Sequence, residues 1–250
     1  MLALITGASS GIGKSMAINL SNQGYDLILV ARRKNKLEEL KCRLNTKVEI
    51  IDLDVSNKDN CIELYNKVKD KNIDILINNA GFGIFGEFSE TNLEKELELI
   101  DTNIKAVHIL TKLFLKDFIK SDKGYILNVA SSAAFMSGPL MSSYYASKGY
   151  VLKLTEAISE EIRINKSNVY IGCLCPGPVN TEFNKIADVE FGVKALTSDE
   201  VADYAINKMF KRKTIIIPSI KMKLACTMSR FVPRKLLLKI IYKIQKRKEK

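Results

Sequence analysis

Histidine is nearly absent from this chain: among 250 residues there is one, His108. A serine hydrolase triad would depend wholly on it, and no carboxylate–histidine cluster suggests a metal centre. His108 falls in a helical pattern five residues after Asn103, where it reads as a packing or surface residue rather than a base. Cysteine is sparse too. The five, at 42, 61, 173, 175 and 226, form an odd and scattered set, with Cys173 and Cys175 expected on opposite faces of a strand. That disfavours a disulfide framework or a zinc site and implies a reducing, cytoplasmic setting. No uninterrupted apolar run reaches the roughly 18 residues of a spanning helix. "MLALITG" already reads as a buried strand entering a glycine turn, with no signal peptide before it. A soluble protein is expected.

Acidic residues are missing from one region in particular. The net charge of +11 is concentrated in residues 221 to 250, which hold eleven Lys/Arg and one acid; residues 1 to 220 carry 28 basic against 27 acidic groups. The length suits one domain with a sizeable core. The expected organisation is therefore a globular body over 1–220 and a basic extension over 221–250.

What is present is an alternation. "MLALIT", "DLILVA", "KVEIIDLDV", "IDILINNA", "GYILNVA", "VYIGCLC" and "TIIIP" read as strands. Helical patterns lie between most of them, over 12–23, 34–44, 57–70, 92–119, 143–165 and 198–210. Continuous apolar strands separated by helices predict an α/β doubly wound, mostly parallel seven-stranded sheet covered on both faces, of the Rossmann-like kind. Such a sheet binds ligands at the carboxyl ends of its strands. Irregular stretches follow strands at 81–91, 132–142 and 176–197.

After the first strand comes "TGASSGIGK". Its glycines at 7, 11 and 13 allow a tight turn and close backbone approach, and the helix that follows offers unpaired N–H groups to a pyrophosphate. At the end of the second strand, "LILVARRK" places Ala31 and Arg32 where an acid selects NAD in many dinucleotide folds, with Arg33 beside them. Guanidinium groups suit a ribose 2′-phosphate. With Lys14 in the turn they predict NADP(H); the plainer reading is a solvated helix start.

"SSYYASKGY" raises a narrower question, because Tyr144 and Tyr145 both lie within one helical turn of Lys148. Spacing alone does not choose between them. The order and spacing of "TGASSGIG", "NNAG", "YYASK" and "PGPVNT" over residues 1 to about 217 resemble the short-chain dehydrogenase/reductase family. That family's pattern is Y-x-x-x-K with a serine thirteen residues earlier, which implies Tyr144, Lys148 and Ser131 as catalytic, with Asn103 as a fourth member that holds a proton-relaying water. Tyr144 would be the general acid/base, its phenol lowered in pKa by the lysine ammonium and the nicotinamide. Ser131 would hold the substrate oxygen and Lys148 the nicotinamide ribose.

The resemblance also implies cofactor contacts. These are Gly7, Ser9, Ser10, Gly11, Ile12 and Gly13 in the turn, with Arg32 and Arg33 at the second strand. Asp54 and Val55 would lie at the adenine, and Asn78, Ala80 and Gly81 at the ribose side. Pro176, Gly177, Val179 and Thr181 would follow the sixth strand, with Thr181 at the nicotinamide carboxamide. The implied reaction is hydride transfer between NADP(H) and a carbonyl or alcohol substrate, in a homo-oligomer paired through the helices at 92–119 and 143–165. Phe183, Ile186, Val189, Phe191, Val193 and Leu196 either cover an apolar substrate or pack as a short helix. Two other readings keep the fold without turnover: a redox sensor and a membrane-surface scaffold.

In the extension, Leu237, Ile240, Ile241 and Ile244 recur at helical spacing, flanked by Lys235, Lys239, Lys243, Lys246, Arg247 and Lys248. This amphipathic basic helix either packs on its own domain or a partner subunit, or lies on an anionic membrane surface. Nucleic acid is not expected, for the stretch carries no known binding motif.

Overall fold

The computed structural model describes residues 1–183 and 195–246. In chain order its main elements are β1 (Leu2–Thr6), α1 (Gly11–Asn22), β2 (Asp26–Ala31), α2 (Lys34–Lys41), β3 (Val48–Asp52), α3 (Lys58–Val68) and β4 (Ile75–Asn78). There follow α4 (Leu93–Ile100), α5 (Val107–Ser121), β5 (Tyr125–Val129), α6 (Ser142–Ile164), β6 (Tyr170–Leu174), the short strands β7 (Val179–Asn180) and β8 (Leu196–Thr197), and α7 (Ser198–Phe210). The chain ends in β9 (Ile215–Ile216), α8 (Ile220–Met228) and α9 (Arg234–Lys246).

Seven strands form one sheet in the order β3-β2-β1-β4-β5-β6-β9, every pair parallel. The predicted doubly wound sheet is present. Its central strands are apolar throughout because both faces are covered: β4 and β6 are buried at every position, whereas the edge strand β3 is mostly not. On one face Met16 and Leu20 of α1, Leu37 of α2 and Ile206 of α7 pack on the sheet. On the other, Leu64 of α3 and Leu110, Phe114 and Phe118 of α5 do so. The strand order reverses between β1 and β4, so a crevice opens there at the carboxyl ends of the strands.

The long helix expected over 92–119 is interrupted. Between α4 and α5 the residues Asp101–Ala106 make a π-helical turn, and Asn103 sits in it. Such turns recur at functional sites. A second finding concerns cysteine. Residues two apart on a strand share a face, and the thiols of Cys173 and Cys175 stand 3.7 Å apart. The expectation that they diverge is therefore corrected, while all five cysteines are free thiols.

α8 and α9 fold back onto the body by one face. Cys226, Ile241 and Gln245 are buried, and the Gln245 side-chain amide donates a hydrogen bond to the Tyr145 hydroxyl. No helix among the described residues is long and apolar enough to cross a membrane.

Candidate active site

The crevice holds a cavity of about 930 Å³. One end is polar and built by the glycine turn. Gly7 and Gly11 adopt φ of +65° and +54°, a region disfavoured for side-chain-bearing residues. A Cβ on Gly7 would lie 2.8 Å from the Ala80 Cα, and one on Gly13 would lie 2.4 Å from the Asn79 Nδ2. The glycines thus let β1's turn close onto the end of β4. Asn79 locks this contact by donating to the carbonyls of Thr6 and Gly7 at 3.1 and 3.0 Å, while its own N–H donates to the Thr6 hydroxyl. Ser10, the residue before α1, makes no side-chain cap, so the first N–H groups of the helix have no hydroxyl acceptor from it.

Of the residues singled out in the sequence, Gly7, Ser9, Ser10, Gly11, Ile12, Arg32, Arg33, Asp54, Val55, Ala80 and Gly81 line the cavity, as do Ser131, Tyr144, Lys148, Pro176, Gly177, Val179 and Thr181. Three do not. Gly13 lies beneath the turn. Asn103 is fully buried, its amide donating to the Phe82 carbonyl at 2.9 Å and to Ser147, and its oxygen accepting from the Phe82 N–H. Asn78 turns away from the cleft into the core, where it donates to Asn128 at 2.8 Å and to Thr111, and Asn128 donates to Thr155. That network ties β4, β5, α5 and α6 together below the site, so Asn78 supports the cleft rather than lining it. Its neighbour Asn79, inside the same motif but not singled out, faces the cleft instead. Ile186, Val189, Phe191, Val193, Arg247 and Lys248 lie outside the described residues.

The two tyrosines separate by partner. The Tyr144 hydroxyl hydrogen-bonds to Ser131, which stands at the end of β5 with its own oxygen accepting from the Ala133 N–H at 3.1 Å. Tyr145 turns the other way, against Gly138 and towards Gln245. Lys148, one helical turn along α6, is buried and donates to the Val129 carbonyl at 2.9 Å, with its ammonium 5.9 Å from the Tyr144 ring centre. A Cβ on Gly81 would lie 2.8 Å from the Asn103 oxygen and 3.2 Å from the Lys148 nitrogen. Ser131, Tyr144, Lys148 and Asn103 therefore converge, and the loop after β4 packs against them.

Burial governs their protonation. It pushes the Tyr144 phenol up to about 12, with the Ser131 hydrogen bond pulling the other way, and brings the Lys148 ammonium down to about 8. Among the protein's own groups the Ser131 hydrogen bond is what lowers the phenol, and desolvation outweighs it. His108 is exposed, 2.7 Å from the Tyr150 hydroxyl, and takes no part in the site. Among the described residues no cluster of His, Cys, Asp and Glu can hold a metal.

Residues 1–189 match the family model for short chain dehydrogenases. The chain belongs to that family. Estradiol 17-beta-dehydrogenase 11 of Homo sapiens is 31% identical over 250 residues, covering 97% of this chain and 83% of that protein. A short-chain dehydrogenase from Sphingobium yanoikuyae, solved with NADPH, superposes with a TM-score of 0.83 at 30% identity over 92% of this chain and 93% of its own. A family structure from Burkholderia phymatum, solved with NAD, has the same fold at 23% identity, with a TM-score of 0.83 and 92% of each chain covered. The protein is thus an oxidoreductase with a nicotinamide dinucleotide site, and the fold by itself does not select between the two cofactors.

The other end of the cavity is apolar, and part of it comes from the extension. Met141, Phe183, Met222, Val232, Leu237 and Ile241 line it, so α8 and α9 complete the wall of the cavity that Tyr144 also lines. This role is invisible in the sequence, where the apolar periodicity of 237–244 shows that a face is covered but not what covers it.

Proposed function

We propose that this short-chain dehydrogenase is an NADP(H)-dependent carbonyl reductase acting on an apolar ketone or aldehyde, with Tyr144 as proton donor. The Ser131–Tyr144 hydrogen bond at the meeting of the polar and apolar ends of the cavity carries this reading. The dinucleotide fits the turn on two observations: left-handed glycines that leave room for a backbone approach, and a helix start to which Ser10 offers no cap. When bound, the nicotinamide supplies the hydride.

The chain's own residues do the rest. A phenol held near 12 is protonated at neutral pH and can give its proton to a carbonyl oxygen as negative charge develops there. Ser131, on the same oxygen, stabilises that charge. Lys148 brings positive charge beside the ring, and Asn103 fixes the Phe82 backbone from the π-helical turn. Arg33 supports the NADP(H) choice: its guanidinium reaches the hydroxyls of Ser9 and Ser10 at 3.0 and 2.9 Å and pairs with Glu182 at 2.8 Å. Arg32 pairs with Glu98 at 2.8 Å. Both arginines stand partly exposed at the cavity wall, where a 2′-phosphate would replace carboxylates as their partner.

Exposed apolar side chains on α4, Leu93 and Leu97, and the surface His108–Tyr150 contact between α5 and α6 support pairing of subunits through those helices. The decisive experiment follows NADPH and NADH oxidation with a panel of apolar ketones and aldehydes, using wild type, Tyr144→Phe and Tyr145→Phe. Expected are a preference for NADPH, loss of at least about 100-fold in turnover for Tyr144→Phe with NADPH binding retained, and a change of no more than about tenfold for Tyr145→Phe. Full activity of Tyr144→Phe overturns the assignment.

A further inference from the structure

α8 and α9 leave an outer surface that the body does not cover. Ile220, Leu224, Met228 and Phe231 follow one another at helical spacing, and Ile220, Leu224 and Phe231 are 86%, 62% and 76% exposed. At about 100° per residue, Lys223 and Arg230 flank this stripe on one side and Lys221 on the other. α9 repeats the arrangement: Leu236, Ile240 and Ile244 are half-exposed along one face, with Lys235, Lys239 and Lys243 beside them. Residues 221–246 hold eight Lys/Arg and no acid. Behind α8 a smaller cavity of about 300 Å³ is lined by Lys208, Lys213, Lys223 and Arg230, again without an acid. No ion pair joins any of these four to a carboxylate among the described residues.

Three residues belong to two surfaces at once. Met228, Ile240 and Ile244 are half-exposed on the outside and also line the large cavity. They rim its mouth.

We propose that α8 and α9 form a docking surface for an anionic lipid bilayer, with the mouth of the large cavity opening onto the lipid. Aliphatic and aromatic groups flanked by cations, with no acid between them, match an interface of acyl chains beneath negatively charged headgroups. The headgroup phosphates would take the unpaired cations around the smaller cavity. Nucleic acid would use the charge but leave Ile220, Leu224 and Phe231 in water. The location of the mouth explains why an apolar cavity is rimmed by an exposed apolar surface: a poorly soluble carbonyl compound can pass from bilayer to Tyr144 without crossing water. This last step rests on the reductase reading; the docking surface does not.

The test is sedimentation of the full chain with vesicles of phosphatidylcholine alone or with about one-third phosphatidylglycerol. The chain should bind the anionic vesicles and not the neutral ones. The triple variant Lys221→Gln, Lys235→Gln, Lys239→Gln should lose about 100-fold in partition, each cation contributing about fivefold. The triple variant Ile220→Ser, Leu224→Ser, Phe231→Ser should lose at least as much. None of these six residues lines the large cavity. The chain contains no tryptophan, so Ile240→Trp is a clean reporter of the mouth: its emission should shift to the blue on anionic vesicles and be quenched by brominated lipid. Equal binding to both vesicle types, variants that bind as wild type does, or an unshifted tryptophan on bound protein would each overturn the proposal. So would dissociation of a dimer by the serine variant in vesicle-free buffer, which would make the surface a subunit contact. None of these readouts needs turnover, so vesicle binding without ketone reduction supports the docking surface while refuting the reductase.

Discussion

Lys148 costs stability to be where it is. Its ammonium is buried, and burial brings it from 10.5 down to about 8. At about 1.36 kcal/mol per pH unit, holding the charged form in the folded protein costs roughly 3 kcal/mol. Replacing it by the apolar, similarly shaped methionine removes that cost and forfeits the hydrogen bond to the Val129 carbonyl, worth about 1 kcal/mol. Lys148→Met should therefore be more stable than wild type by about 2 kcal/mol at pH 7, a rise in Tm of about 4–8 °C for a chain of this size. Turnover should vanish.

The pH dependence provides the sharper test. Below about pH 8 the lysine is charged in both folded and unfolded states, and the full cost is present. Between about 8 and 10.5 the folded form has released the proton and the unfolded form still holds it, so wild-type stability rises with pH. The advantage of Lys148→Met must shrink through that window and reverse by about 1 kcal/mol above it. Cys61 and Cys226, which burial pushes up to about 11, work in the opposite direction but are common to both proteins and cancel in the difference. Urea unfolding followed by circular dichroism at pH 7 and about pH 10 measures it. A variant less stable than wild type at pH 7, or a gap that does not change with pH, refutes the argument.

Other substitutions separate the parts of the site. Arg33→Ala should weaken NADPH by about 10- to 100-fold while changing NADH little, read by fluorescence titration, because charged hydrogen bonds of this kind contribute about 1.5–3 kcal/mol. Gly81→Ala pushes a methyl against Asn103 and Lys148 and should lower turnover by about 100-fold through misplacement alone, with the melting curve checked alongside. Ser131→Ala should cost about 100-fold in kcat. Tyr145→Phe leaves the amide of Gln245 without its acceptor and should lower stability by about 1–3 kcal/mol in urea unfolding.

The sheet was legible because parallel strands covered on both sides must be apolar at every position, as in "DLILVA" and "VYIGCLC", and helical periodicity fills the gaps. The glycine turn was legible for the same kind of reason: Gly7 and Gly11 need conformations other residues resist. Asn78 and Asn79 show where this ends. Both are asparagine, and which one faces the cleft depends on the pleat at the end of β4 rather than on composition. The π-helical turn at Asn103 leaves no trace in a pattern of period 3.6, because one extra backbone position rotates the following residues without changing their types. The tyrosines illustrate the limit most sharply. Spacing set both within reach of Lys148; the serine thirteen residues before Tyr144 gave a partner for one of them, whereas the partner of Tyr145, Gln245, lies 100 residues further along the chain and left no local signal.

The protonation of Tyr144 also bears on direction. A phenol held near 12 is ready to donate at pH 7. To accept a proton from an alcohol it must first be ionised, which at pH 7 costs about 7 kcal/mol at about 1.36 kcal/mol per unit. Reduction carries no such cost from the protein's own groups, whereas oxidation would need the positive charge that an oxidised nicotinamide supplies when bound. The two directions should then diverge with pH: reductive turnover changes little between about pH 6 and 8, while oxidative turnover climbs towards tenfold per unit as the phenolate becomes cheaper to form. Met141 and Phe183, which pack against Tyr144 and line the apolar end of the cavity, help to bury the phenol, so residues that would select a water-poor substrate also hold the acid in its protonated form.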